Sequence, residues 1–227
     1  MDELNVLRKI KSWTLSQILR FQHLTWRVHI ENREYLDDLY AENGRFLLCF
    51  WHGKYIPIFS LLEGYEACVI TNLSKRGSMI AEISRNFGYQ SLQIPEQART
   101  ASFRLMARTL AKVPGGAIAV DGPLGPRHQV KHELIRIASI LGLNLLPASV
   151  GSRRKMVFDK RWDRLEIPLL FTTVYLVIGE PIQVPKNLDN GQICKWADRL
   201  SEKIIQIDKE AENLAYKKEH KKKLRET

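Results

Sequence analysis

Two short stretches of the chain hold residue types that do chemistry. The run Phe46-Leu-Leu-Cys-Phe-Trp51 is apolar, too short for a typical helix, and stops at His52-Gly53. It reads as a buried strand that delivers an imidazole to a loop, with a glycine beside it that lets a ligand come close to the backbone. A histidine titrates near neutral pH, so one exposed at a strand end has the chemistry of a general base. A second apolar run, Ala117-Ile-Ala-Val120, leads into Asp121-Gly-Pro-Leu-Gly-Pro-Arg127. Two prolines and two glycines make this a tight, stiff loop. Asp121 there either positions a functional group or merely accepts backbone N–H bonds within its own turn. The loop is not a phosphate-cradling Gly-x-x-x-x-Gly-Lys-Ser/Thr sequence. His128 and His132 lack a third ligand or the intervening glutamate of a zinc-protease helix, so no metal is expected.

The elements around these stretches alternate. Ala67–Thr71 reads as a strand, 79–87 as a helix stopped by Gly88, and 89–94 as a short strand before Pro95. A helix is expected over 100–113, closed by Pro114-Gly115-Gly116, and another from about Val130 to Leu141, ended by Gly142. Strands follow at 143–150 and 174–178, then a long helix over 188–215. Strand, helix, strand in repetition predicts an α/β fold with a largely parallel or mixed central sheet flanked by helices, whose ligands sit beyond the carboxyl ends of the strands. His52 and Asp121 both follow strands.

From Leu4 to about Ile30 the apolar residues Leu7, Ile10, Ile18, Phe21 and Val28 recur at helical spacing, with Trp13, Leu24 and Trp26 beside them and basic residues between. The spacing predicts an amphipathic helix, unbroken or broken once, that packs on the core, lies in a membrane interface, or does both if only half of it docks. The chain divides into this segment (1–35), an α/β core (45–185), and a C-terminal helix with a basic tail (186–227), all in one domain. No internal repeat or linker splits its 227 residues, of which 44% are hydrophobic and 26% charged. No apolar run is long enough to cross a bilayer, and Arg8, Lys9, Lys11 and Arg20 interrupt what would otherwise pass for a signal peptide. The three scattered cysteines, Cys49, Cys68 and Cys194, read as buried thiols in a reducing compartment. A net charge of +10 favours an anionic partner. Nucleic acid is not expected, because zinc-finger, basic-zipper and aromatic RNA-binding signatures are lacking. The tail residues Lys217, Lys218, Lys221, Lys222, Lys223 and Arg225 suit an anionic membrane surface.

Taken in order, Phe50-Trp-His-Gly53, the segment 74–88, Asp121-Gly-Pro-Leu-Gly-Pro-Arg127, Pro147 after its strand, and Trp162-Asp-Arg-Leu-Glu-Ile-Pro168 running on to Gly179-Glu-Pro181 resemble a bacterial lysophospholipid-acyltransferase-like family. The resemblance covers about Arg45 to Pro185 and implies the glycerolipid acyltransferase fold. It implies that His52 takes the proton from a hydroxyl on a lipid-like acceptor while that oxygen attacks an acyl thioester of coenzyme A or acyl carrier protein. Such a protein binds no resident cofactor and works peripherally at the inner membrane surface. Asp121-Gly122 stands where glycerolipid acyltransferases carry a glutamate-glycine loop, and Lys54 and Arg127 are expected to hold phosphate. Gly53, Arg76, Gly122, Pro123 and Gly125 complete the expected substrate-binding set. Trp162 and Asp163 read as an aromatic plug and a salt bridge to Arg161 or Arg164. The chain departs from the pattern in three places. Pro57 stands where the wider superfamily has an acidic residue five positions after the histidine. Arg76-Gly77-Ser78 replaces Asp-Gly-Glu, and Gln93-Ile-Pro-Glu96 replaces Arg-Gly-Ser. The carboxylate that orients His52 is then Asp121, Glu96 or none, and with none the protein is a catalytically silent lipid-binding relative.

Overall fold

A computed structural model describes residues 3–95 and 99–223. Helix α1 (Glu3–Thr25), strand β1 (Arg27–Glu31) and helix α2 (Glu34–Ala41) precede strand β2 (Phe46–Phe50). A single 3-10 turn (His52–Lys54) and helix α3 (Tyr55–Leu61) then lead into β3 (Cys68–Asn72), α4 (Lys75–Asn86), β4 (Gln90–Ile94), α5 (Arg99–Leu110), β5 (Gly115–Ala119) and α6 (His132–Leu141). Strand β6 (Asn144–Ser152), a small ribbon of β7 (Lys155–Val157) and β8 (Glu166–Pro168), strands β9 (Thr173–Ile178) and β10 (Ile182–Gln183), and the long helix α7 (Asn190–Lys223) complete the chain.

The sheet runs β1-β9-β6-β2-β5-β3-β4, with β10 also paired to β6. Its central strands β6, β2, β5, β3 and β4 are mutually parallel, and β9 and β10 run antiparallel to β6. Along β2 the side chains alternate: Phe46, Leu48 and Phe50 enter a core shared with α1 to α4, while Leu47 and Cys49 enter a second core with α5, α6 and α7. Helices on both faces explain why this strand reads as an unbroken apolar run, since neither face meets water.

The N-terminal segment differs from expectation. The helix ends at Thr25, and 27–31 forms β1, parallel to β9. The region 1–35 is therefore not helical throughout, and the sheet begins ahead of Arg45. Val28 and Ile30 serve a strand as well as they serve a helix, and five residues are too few for periodicity to separate the two.

Helix α1 also turns its polar side inward. Ser12, Ser16 and Leu19 are buried, while Leu7, Ile10, Trp13, Ile18, Phe21 and Leu24 are exposed, Leu24 at 84%. The helix docks through polar contacts: Arg20 donates to Glu63 (2.7 Å) and to the Asn86 carbonyl (2.6 Å), and the Asn86 amide donates to the Ser16 hydroxyl (3.0 Å). Small serines let its backbone approach α4, and the apolar stripe is left facing out. No described helix is long and apolar enough to cross a membrane.

Candidate active site

Strand register brings the two expected residues together. Strands β2 and β5 pair in parallel from Phe46 opposite Gly115 to Phe50 opposite Ala119. Continued two residues beyond the strands, that register sets His52 opposite Asp121. The bond from Val120 N–H to the Phe50 carbonyl (2.9 Å) holds the two chains together past their ends. Asp121 is fully buried, and its Oδ1 accepts from the His52 backbone N–H at 3.0 Å and lies 3.2 Å from the His52 Nδ1. One carboxylate oxygen thus fixes both the backbone and the ring of His52. Its other oxygen, Oδ2, is buried without a partner among the described residues. With Nδ1–H donated to Asp121, the ring presents an unprotonated Nε2, the form that accepts a substrate proton.

The neighbouring glycines are steric necessities. A Cβ on Gly53 would lie 2.5 Å from the Asp163 carbonyl oxygen. Gly122 and Gly125 have φ of +70° and +74°, in the left-handed region that costs other residues. The ring of Trp162 packs on Gly125, with 2.9 Å between a Cβ built there and Trp162 Cε3, and its centroid is 5.4 Å from that of His52. Asp163 accepts two bonds from Arg161 (2.8 and 2.6 Å), and Arg164 pairs instead with Asp159. Burial pushes the Asp163 carboxyl up, but Arg161 outweighs it and holds the group below its ordinary value.

Tyr55 stands edge-on to His52 at 6.2 Å between ring centroids. Burial pushes its phenol up to about 12, so it stays protonated. Arg76, at the start of α4 beyond the carboxyl end of β3, is exposed and close enough to act electrostatically on Tyr55. Arg127 is half-buried in the loop after β5, while Pro123 and Leu124 form its exposed crest. His128, one residue on, has φ +62° and lies against Trp51 with 4.9 Å between ring centroids.

Lys54 does not serve as expected. Its side chain is 4% exposed, and its ammonium lies 2.6 Å from Glu166, 2.7 Å from Glu212 and 3.1 Å from Asp208. An ammonium has three donors, so none is left for a phosphate. Burial alone would lower its pKa, but the three carboxylates reverse the shift and raise it. Lys155 joins the cluster through Glu166 (2.7 Å) and Glu212 (2.5 Å). Among the described residues no three His, Cys, Asp or Glu side chains are arranged to hold a metal. Glu96 lies outside the described residues, as do Arg225 and the other tail side chains beyond Lys217.

A narrow apolar crevice with about 30 Å³ of enclosed space lies under β2. Tyr55 lines it at the His52 end, and Tyr40, Phe46 and Tyr65 line it at the other. Sequence reasoning missed this crevice and Tyr55, because their residues come from α2, α3, β2, β3 and β5 and share no local spacing.

No family model matches the chain. It is 25% identical over 173 residues to an uncharacterized protein of Rickettsia prowazekii (strain Madrid E), covering 72% of this chain and 76% of that one. Its structure is similar to the crystal structure of the 1-acyl-sn-glycerophosphate (LPA) acyltransferase PlsC from Thermotoga maritima. The TM-score is 0.52 and the identity 18%, over 89% of this chain and 82% of that one. The chain therefore has a glycerolipid-acyltransferase-like α/β fold.

Proposed function

We propose that the chain, on its glycerolipid-acyltransferase-like fold, transfers a fatty acyl group from an acyl thioester, carried by coenzyme A or acyl carrier protein, to a hydroxyl on a lipid-like acceptor. The observation that carries this reading is the His52–Asp121 pair at the carboxyl ends of parallel strands, with the Nδ1 side of the ring held by the carboxylate. In the reaction, the acceptor hydroxyl gives its proton to Nε2 while its oxygen bonds to the thioester carbonyl carbon. Collapse of the resulting tetrahedral adduct breaks the carbon–sulfur bond, and the leaving thiolate takes the proton back from the imidazolium. Asp121 stabilises that imidazolium without itself taking the proton. It fills the role left open by Pro57, which is buried in α3, and this favours a catalyst over a silent lipid-binding relative.

Other features support the same reading. Arg76, which acts electrostatically on Tyr55, and Arg127, in the loop that follows Asp121, supply cations suited to phosphate on lipid or carrier. The outward apolar face of α1, with Lys9 and Lys11 exposed beside it, suits a helix lying in the headgroup region of the inner membrane's cytoplasmic leaflet. Incubation with radiolabelled acyl-coenzyme A or acyl carrier protein and a lysolipid mixture tests the proposal. Label should enter a lipid with the natural protein and not with His52→Ala; a natural protein that binds vesicles yet transfers nothing would move the reading to the silent relative.

A further inference from the structure

The chemistry above uses His52 and Asp121 but leaves unexplained a costly cluster directly behind them. Two lysines and three carboxylates meet there: Lys54 from the turn that carries His52, Lys155 from β7, Glu166 from β8, and Asp208 and Glu212 from α7. Asp208 is further fixed by the Ser149 hydroxyl of β6 at 2.6 Å. Charges taken from water in this way add little to stability compared with an apolar core, so their use lies more often in geometry.

We infer that Lys54 is a positioning residue for His52, clamping the catalytic turn to α7 and to the β7–β8 ribbon. Every residue of that stretch is held from a different direction. Trp51 packs on His128, His52 bonds Asp121, Gly53 abuts the Asp163 carbonyl, and Lys54 reaches the cluster. The stretch is a single 3-10 turn, closed by the bond from the Lys54 N–H to the Trp51 carbonyl at 2.9 Å, so its orientation depends on these outside contacts. Releasing the Lys54 end lets the turn rotate about Gly53, and the His52 ring then leaves Asp121. The C-terminal helix thereby belongs to the catalytic geometry, although Glu212 lies far from His52 in sequence.

The inference rests on His52 acting as the base, but its test does not need catalysis. In protein labelled with nitrogen-15 at histidine, the ring shifts of neutral His52 report which nitrogen carries the proton. The natural protein should show a single Nδ1–H tautomer. The paired variant Lys54→Met with Glu212→Gln removes one cation and one anion, so the cluster keeps its net charge, and it should show both tautomers in comparable amounts. Glu210→Gln on the exposed side of α7 should leave the single tautomer intact. If the paired variant is unfolded by circular dichroism, Lys54→Met with Asp208→Asn, which also removes one cation and one anion, carries the same test. A folded variant that keeps the single Nδ1–H tautomer overturns the inference. Absence of acyl transfer by the natural protein would instead count against the proposed function and leave this result standing.

Discussion

At the scale of single residues, one oxygen of Asp121 holds both the backbone and the ring of His52. Asp121→Asn keeps the shape of the side chain but offers an amide to Nδ1, favouring the wrong tautomer. Acyl transfer should fall by about 10²- to 10⁴-fold, the range spanned by general-base and orienting groups, while circular dichroism stays native. Gly53→Ala should act differently, because its methyl meets a backbone carbonyl that cannot swing away. About 1 to 3 kcal/mol of stability should be lost in denaturant titrations, along with transfer. His128 supplies a pH signature. Burial, with Arg127 nearby, holds its pKa below 6.5, so the folded chain binds fewer protons than the unfolded one. The associated stability is complete above pH 6.5 and is lost as pH falls through the lower folded-state value. The melting temperature of the natural protein should therefore drop further between about pH 7.5 and about pH 5 than that of His128→Asn, which tolerates the same left-handed backbone; equal drops would contradict this. Both members of the dyad were legible in the sequence, because each ends an apolar run at a glycine. Their pairing was one of three alternatives, since choosing it depends on the relative register of β2 and β5. Lys54 was misread for a related reason: its partners lie in β8 and α7, and a lysine two residues after His52 looks the same in sequence whether it meets a phosphate or three carboxylates.

At the scale of elements, most strands and helices of the core fall where apolar runs and Gly or Pro stops placed them, β2, β4, β5 and β9 within a residue or two. The short pieces escaped. Helix α3 carries Pro57 in its first turn, where the missing N–H costs nothing, so the proline did not mark a break. The β7–β8 ribbon is three residues on each side, too short for alternation to register. For α1 the sequence gives helical spacing but not the direction of the apolar stripe, which is set by Ser12 and Ser16 seating against the core. Because Ile10, Phe21 and Leu24 are exposed, Ile10→Glu with Phe21→Glu should leave thermal stability almost unchanged. The same pair should weaken sedimentation with anionic phospholipid vesicles several-fold. Unchanged vesicle binding would show that this face does not touch lipid.

At the scale of the whole molecule, the +10 charge sets long-range behaviour. If the partner is an anionic leaflet, vesicle binding should weaken as salt shortens the Debye length to about 3 Å near 1 M, and neutral vesicles should bind less than anionic ones at every salt concentration. Binding independent of lipid charge would assign the association to α1 alone. The central claim is narrower: His52 and Asp121 work as one unit to deprotonate an acceptor hydroxyl. A double-mutant cycle on the rate of acyl transfer measures this most directly, comparing the natural protein, His52→Ala, Asp121→Asn and the two together. Residues that act as a unit are strongly non-additive, so the double variant should be no slower than His52→Ala alone. Losses that simply multiply, or a natural protein with no transfer to compare, would contradict the dyad.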